Sequence, residues 1–142
     1  MSEHITKHHN KTLLLYHLVC PVKYRKKALT EPVEQALKQV CLELQKRYEL
    51  RFIEIGADQD HVHFLIQSVP VYSPTKIARI VKSITAREIF KPRPEVKEQL
   101  WRGEFWTAGY FINGLIYLVV VKTASPKKFC IAFAMRLFIP LV

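Results

Sequence analysis

Acidic residues are scarce in this sequence, and their scarcity sets its overall character. The 142 residues include 12 aspartates and glutamates against 22 lysines and arginines, which gives a formal net charge of +10. This balance favours a polyanionic partner, most simply a nucleic acid or an anionic membrane surface. Composition alone does not separate such a protein from one that is simply basic.

Cysteines are few, and long apolar runs are missing. Cys20, Cys41 and Cys130 are odd in number, far apart and without a Cys-x-x-Cys pair, which excludes a disulfide framework and a zinc finger. We therefore expect a reducing compartment. No run is long enough to span a bilayer, and the first eleven residues have no apolar signal core, so we expect neither membrane insertion nor secretion.

The apolar periodicity predicts six elements within one domain. Strands are predicted at 12–22, 50–55, 61–68 and 109–112, where apolar residues alternate or run continuously. Helices are predicted after Thr30 and after Ser73, each followed by a proline in the first turn and by apolar residues at spacings of three and four. The order strand, helix, strand, strand, helix, strand is that of the α+β ferredoxin-like (RRM-like) βαββαβ sandwich, with both helices on one face of an antiparallel sheet.

The strand at 61–68 carries the most informative pattern. Because side chains alternate along a strand, Val62, Phe64 and Ile66 form a core face and leave His61 and His63 together on the opposite, open face. Two imidazoles placed in this way can hold one divalent metal ion. A solvated polar surface would give the same pattern. The nearby Asp58, Asp60 and Gln67 are unranked candidates for a further ligand.

Basic and aromatic residues cluster in three places that suit a nucleic acid. Lysine and arginine neutralise phosphates, and aromatic rings stack on bases. The first cluster is the run Lys23, Tyr24, Arg25 and Lys26, and the second is the set Lys76, Arg79 and Lys82 on the second helix. The third contains Trp101 and Trp106, of which we expect one to lie in the core. Ordinary solvated surfaces are the alternative for the first two clusters.

Three blocks of sequence together resemble the small single-tyrosine HUH transposases of bacterial insertion sequences. The first is Tyr16-His17-Leu18-Val19 leading into Lys23-Tyr24-Arg25. The second is His61-Val62-His63 within Asp-x-Asp-His-Val-His-Phe. The third is Leu100-Trp101-x-Gly103-Glu104-Phe105-Trp106 followed by Gly109-Tyr110-Phe111-Ile112. The resemblance spans about Leu13 to Asn113 and rests on the order and spacing of all three blocks.

The resemblance implies a fold, a reaction and a set of partners. It implies the ferredoxin-like fold and action on single-stranded DNA hairpins at the ends of a mobile element, in a bacterial or archaeal cytoplasm. His61 and His63 would hold Mg²⁺ or Mn²⁺. A tyrosine on a helix after the last strand would form a 5′-phosphotyrosine link, and a glutamine one turn further on would complete the metal site. The resemblance also implies that the protein forms a homodimer and needs no nucleotide cofactor.

The sequence departs from this family after Asn113. The family pattern places the nucleophile some fifteen residues after Phe111, yet residues 126–129 include no tyrosine. Tyr117 is the single tyrosine beyond Tyr110 and thus the one candidate for the nucleophile in the tail, but it comes too early and lies in an apolar run that favours packing or an edge strand. No glutamine follows Gln99. We therefore predict a transposase domain over residues 1–113 and an atypical apolar and basic tail over 114–142, packed on the domain or on a partner subunit. Our hypothesis is a shifted reading frame near codon 113.

Two rival functions stay open at this stage. The first is a binding module without catalysis, either a transposase that has lost its nucleophile or an RRM-like RNA binder. RRM modules present aromatic residues on their central strands, whereas this sequence presents histidines there. The second is a metal-dependent phosphoesterase unrelated to transposition, which would release free ends instead of a protein–DNA adduct.

Overall fold

An antiparallel sheet forms one layer of the structure, and helices form the other. The computed structural model describes residues 5–7, 10–12 and 14–115. Its strands are β1 (Ile5–Lys7), β2 (Asn10–Thr12), β3 (Leu14–Pro21), β4 (Arg51–Ala57), β5 (His61–Ser68) and β6 (Phe111–Leu115). Its helices are α1 (Glu31–Arg47), α2 (Pro74–Phe90) and α3 (Pro94–Gln99), with short 3₁₀ turns at Lys23–Arg25 and Trp101–Gly103.

The main sheet has the strand order β4-β5-β3-β6, and every neighbouring pair is antiparallel. With β3, α1, β4, β5, α2 and β6 in chain order, this is the predicted ferredoxin-like arrangement, and the fold prediction is confirmed. The register pairs Val19 with His63 and His17 with Leu65. The two central strands, β3 and β5, therefore place the first and second sequence blocks side by side.

The two long helices begin where the sequence predicts. Thr30 and Ser73 are the N-cap residues, and a proline lies in the first turn of each helix. The Ser73 hydroxyl accepts a hydrogen bond from the Lys76 backbone N–H at 3.2 Å, whereas the Thr30 side chain makes no such bond. Prolines at this position cost nothing because the first helical N–H groups have no partner within the helix.

The core lies between the helices and one face of the sheet. Val62, Phe64 and Ile66 are fully buried, and they pack in one cluster with apolar residues of α1 and α2 such as Leu37 and Ile77. Burying each such side chain contributes about 1.5–3 kcal/mol. The predicted core face of β5 is therefore confirmed.

The opposite face of the sheet is less open than the alternation suggests. Leu65 and Gln67 share this face with the histidines, yet both are buried. Leu65 lies between its cross-strand neighbours His17 and Glu54, and Gln67 has a cross-strand neighbour on each side as well. Solvent therefore reaches the end of β5 that carries the histidines better than it reaches the other end.

Two short features were not predicted. Residues Ile5–Lys7 and Asn10–Thr12 pair as two short antiparallel strands, and α3 follows the loop at residues 91–93. Both are too short to show periodicity. No helix within the described ranges is long and apolar enough to cross a membrane. Strand β6 continues to Leu115, and the domain boundary at residue 113 stays a prediction.

Candidate metal and nucleic-acid site

The two histidines of β5 form a close pair on the face opposite the core. Their ring centroids lie 4.9 Å apart, and their planes cross at 73°. Both side chains are half-buried, because His63 lies between Val19 of β3 and Gly56 of β4 while His61 begins the strand. A Cβ atom added at Gly56 would meet no atom within 4 Å, so there is open space next to this glycine.

An acidic residue orients the first histidine. His61 Nδ1 lies 2.6 Å from Asp60 Oδ1, and Arg25 Nε lies 3.0 Å from Asp60 Oδ2. The bond to His61 is the main cause that holds the pKa of Asp60 below its ordinary value, and the charge of Arg25 adds to it. Asp60 therefore stays ionised, and it connects a basic side chain to a histidine.

A third histidine reaches the second one from the neighbouring strand. His17 Nε2 lies 2.9 Å from His63 Nδ1. Burial lowers the pKa of His17. Burial also lowers the pKa of His63 to about 4, and the nearby His17 and His61 add to the shift. Both rings are therefore neutral near pH 7, which is the form of imidazole that binds a metal ion.

The donor set fits a divalent ion that takes only part of its ligands from the protein. Within the described ranges, no three histidine, cysteine, aspartate or glutamate side chains are grouped as a metal site. His61 and His63 each use Nδ1 for a neighbouring side chain, so Nε2 is the nitrogen that each can offer to a metal. Magnesium and manganese keep several waters or phosphate oxygens, so two protein ligands are compatible with either ion.

The three candidates for a further metal ligand differ in their distance from the histidines and in their contacts. Gln67 is four residues beyond His63 along the strand, and at about 3.3 Å per residue this separates their Cα atoms by about 13 Å. Gln67 therefore cannot share an ion with His63. Asp60 has both oxygens engaged. Asp58 Oδ1 accepts a hydrogen bond from the Gln59 backbone N–H at 2.7 Å, and its charge acts on His63.

The first basic cluster lies beside this pair, in a strained turn. Tyr24 and Arg25 have positive φ angles of 56° and 55°, which typically costs non-glycine residues about 1–3 kcal/mol each. Backbone bonds hold the turn in place: the N–H of Val22 donates to Asp60 O at 2.8 Å, and that of Lys23 donates to Phe105 O at 2.9 Å. Tyr24 is 61% exposed, and Arg25 and Lys26 are exposed as well.

The third sequence block packs against this turn. Lys23 forms an ion pair with Glu104, and a β-bridge joins Val22 to Trp106. Arg102 is exposed and also has a positive φ, at 58°. The structure therefore brings the first and third blocks together at the histidine end of the sheet, although they are some eighty positions apart in the chain.

The tryptophans do not both serve as a stacking surface. Trp106 is 6% exposed and belongs to the core, as expected for one of the two. Its indole N–H donates to Thr85 Oγ1 at 2.9 Å, and this contact fixes the third block to α2. The side chain of Trp101 is outside the described part of the chain.

The second basic cluster lies on the helical layer, across the sheet from the histidines. Lys76 and Arg79 are exposed on α2, and Lys76 Nζ lies 4.6 Å from the centre of the Tyr72 ring. Lys82 donates to the Ala108 carbonyl at 2.8 Å, and burial lowers its pKa. Lys82 therefore fastens the loop before β6, and the α2 cations are not part of the histidine site.

Sequence reasoning missed three partners at this site. They are the contact of His17 with His63, the bond between Asp60 and His61, and the position of Arg102 beside the basic turn. A histidine inside the apolar run of a central strand was the available signal for His17. The predicted nucleophile candidate, Tyr117, lies outside the described residues.

A ferredoxin-like sheet with a histidine pair on the face opposite the core and a basic turn at the same end suits the class of proteins that bind nucleic acid. Comparison with known proteins makes the assignment. Residues 10–115 match the family model described as "Transposase IS200 like". The chain belongs to this family of insertion-sequence transposases, and the predicted resemblance is confirmed.

Two transposases are similar to this chain in sequence. The chain is 33% identical over 99 residues to the ISDra2 transposase TnpA of Deinococcus radiodurans, covering 70% of this chain and 71% of that protein. It is 24% identical over 105 residues to the transposase for insertion sequence element IS200 of Salmonella typhimurium, covering 74% and 69%.

Two solved structures share the fold. A crystal structure of a D. radiodurans R1 protein assigned as a transposase has a TM-score of 0.70 at 22% identity and covers 94% of both chains. A REP-associated tyrosine transposase bound to a REP hairpin has a TM-score of 0.51 at 14% identity, covering 82% of this chain and 63% of that one.

Proposed function

We propose that this transposase binds single-stranded DNA at hairpin-forming ends of its mobile element and holds Mg²⁺ or Mn²⁺ between His61 and His63. The observation that carries the proposal is the close pair of imidazoles, each with Nδ1 engaged by a neighbour, at the end of the sheet where the basic turn lies. When bound, the ion would polarise the scissile phosphate and stabilise its developing charge.

The residues around the pair have separate tasks in this proposal. Asp60 keeps the N–H of His61 on Nδ1 and so presents Nε2. Arg25 remains exposed while it contacts Asp60, so its remaining N–H groups would bind a backbone phosphate next to the metal. Tyr24 would stack on an unpaired base, and Lys23 and Lys26 would add charge along the strand.

The cations of α2 would act at a distance from the reaction. Lys76 and Arg79 are exposed on the opposite layer, so they would contact DNA that continues around the domain, such as the stem of a hairpin. Lys82 is already engaged by the loop carbonyls. We therefore assign it mainly to holding that loop, with a phosphate contact as a lesser role.

The proposed reaction also needs a nucleophile, which is not among the residues that the structure describes. The family's chemistry requires a tyrosine that attacks the phosphate and conserves the bond energy in a phosphotyrosine link, without a nucleotide cofactor. Tyr117 is the candidate in the tail. The absence of any glutamine after Gln99 and of any acidic residue after Glu104 favours a second function, a DNA-binding protein that no longer cleaves.

Covalent capture separates these two functions. The protein is mixed with a labelled single-stranded hairpin from its own element end and Mn²⁺, and adducts are resolved on a denaturing gel. The variants are His61→Ala, Tyr117→Phe and, as a matched tyrosine control, Tyr24→Phe. An adduct that requires Mn²⁺ and is lost in Tyr117→Phe supports an active enzyme and refutes the shifted-frame hypothesis.

Other outcomes of the capture experiment are equally informative. Hairpin binding without an adduct supports the binding module. Free cut ends without an adduct would point to a phosphoesterase and overturn the proposal. Equal binding of the hairpin and of an unstructured strand of the same length would contradict the assignment of hairpin ends.

The assembly and the tail complete the proposal. We infer a homodimer that works in the cytoplasm, with residues 114–142 packed on the domain or on the partner subunit. Light scattering of the full chain and of a chain ending at residue 115 tests this inference. A full-length monomer would contradict the homodimer, and translation of the two other reading frames tests the origin of the tail.

A further inference from the structure

His17 lies next to His63 on the neighbouring central strand. The register places Val19 opposite His63 and His17 opposite Leu65, so His17 and His63 are diagonal neighbours on one face of two adjacent strands. Aromatic side chains reach across such a diagonal. His17 is 6% exposed, so neighbouring atoms hold its ring in position.

The two rings meet edge to edge. Their planes differ by 8° and their centroids are 5.1 Å apart, while His17 Nε2 and His63 Nδ1 are 2.9 Å apart. The distance between the centroids exceeds the distance between the two nitrogens by about two ring radii, which is the value expected when both nitrogens lie on the line that joins the centroids. The rings therefore lie almost in one plane, and the N–H and lone pair of this bond point along it, as a strong hydrogen bond requires.

Such a bond has two directions with opposite consequences for a metal. A neutral imidazole has one N–H and one lone pair. If His63 Nδ1 donates, Nε2 carries a lone pair and can bind a metal ion. If His63 Nδ1 accepts, Nε2 carries the hydrogen and cannot. The direction of this bond therefore determines whether His63 can offer Nε2 to a metal ion.

We propose that His17 is a positioning residue that accepts the Nδ1–H of His63, fixes its tautomer and ring plane, and thereby presents Nε2 to the metal. This inference rests on the proposed metal site at His61 and His63. It gives His63 the same kind of support that Asp60 gives His61, with an imidazole in place of a carboxylate. Such outer partners typically change metal affinity by 10–100-fold.

Two variants of the full chain test this role. His17→Phe keeps an aromatic ring and removes both nitrogens. His17→Gln keeps a polar group able to reach the position of Nε2. Long-range ¹H–¹⁵N NMR of the metal-free protein reports the tautomer of His63, and calorimetry with Mn²⁺ reports the dissociation constant. Circular dichroism verifies that each variant folds.

We expect His17→Phe to lose the single His63 tautomer and to weaken Mn²⁺ binding by about 10–100-fold. His17→Gln should restore binding to within a few-fold of wild type. An unchanged tautomer and an unchanged Mn²⁺ affinity in His17→Phe would overturn the inference while leaving the metal site intact. Wild-type protein that binds no Mn²⁺ would instead overturn the proposed metal site, whatever the tautomer does.

A direct ligand is the remaining alternative for His17. Pulsed EPR of the Mn²⁺-loaded protein counts coordinated imidazole nitrogens. Two in wild type and two in His17→Gln support positioning, whereas three in wild type would make His17 a ligand and refute the proposal.

Discussion

The bond between Trp106 and Thr85 offers the clearest test of how the third sequence block is held. The indole N–H donates to Thr85 Oγ1 at 2.9 Å, and that hydroxyl donates to the Val81 carbonyl at 2.6 Å. Thr85 is fully buried. The substitution Thr85→Val keeps the shape of the side chain and removes the acceptor of the indole N–H.

The expected loss of stability in Thr85→Val comes from the indole N–H of Trp106, which is left buried without an acceptor. A buried N–H that loses its acceptor costs about 1–3 kcal/mol, and burying one more methyl group returns about 0.8 kcal/mol. The Val81 carbonyl keeps its helical partner. We therefore expect Thr85→Val to lower the free energy of unfolding by about 1 kcal/mol, within a range of about 0.2–2.2 kcal/mol, measured by urea denaturation.

A double-mutant cycle isolates the bond. Trp106→Phe removes the N–H, so Thr85→Val should cost little in that background, and the coupling energy should be about 1 kcal/mol. Thr85→Ser is the matched control that keeps the hydroxyl. A Thr85→Val protein as stable as wild type, or a coupling energy near zero, would show that the bond does not hold the block in place.

Three further predictions concern a buried thiol, a lysine of α2 and the proposed metal site. Burial raises the pKa of Cys20 to about 12 from 9.0, so between these pH values the thiol ionises in the unfolded chain and not in the folded one. In urea denaturation, the free energy of unfolding of wild type should therefore fall with pH more steeply than that of Cys20→Ala, by about 1.4 kcal/mol per pH unit. Equal slopes would contradict this prediction. Lys82→Met should lower the melting temperature because the contact of Lys82 with the Ala108 carbonyl is lost, whereas Lys76→Met, at an exposed position, should change it little. A larger loss of melting temperature in Lys76→Met would refute the role of Lys82 in holding the loop before β6. Asp60→Asn should weaken Mn²⁺ binding by about tenfold or more in calorimetry, and unchanged affinity would show that Asp60 does not orient a ligand.

The elements of the sheet and the long helices could be predicted because their patterns are local. The alternation around Phe64 and the prolines after Thr30 and Ser73 identify the strand and the helix starts without knowledge of the partners. The short α3 and the β1–β2 pair gave no periodic signal, and the pattern around Trp106 did not show that this tryptophan would be buried.

The supporting residues of the candidate site could not be predicted because they depend on register. His17 is 46 positions from His63, and only the pairing of β3 with β5 brings the rings together. The positive φ angles of Tyr24 and Arg25 follow from backbone bonds to distant residues, since neither residue type favours that conformation on its own.

The location of His17 and His63 on the two central strands has a consequence for dynamics. Central strands with partners on both sides usually open only when the whole domain unfolds, whereas exposed turns open in small local fluctuations. The backbone amides beside these histidines should therefore be among the last to exchange with deuterium, and those of the turn at Tyr24 among the first. Such a difference would let the turn adapt to the shape of a DNA strand while the proposed metal ligands keep their spacing throughout.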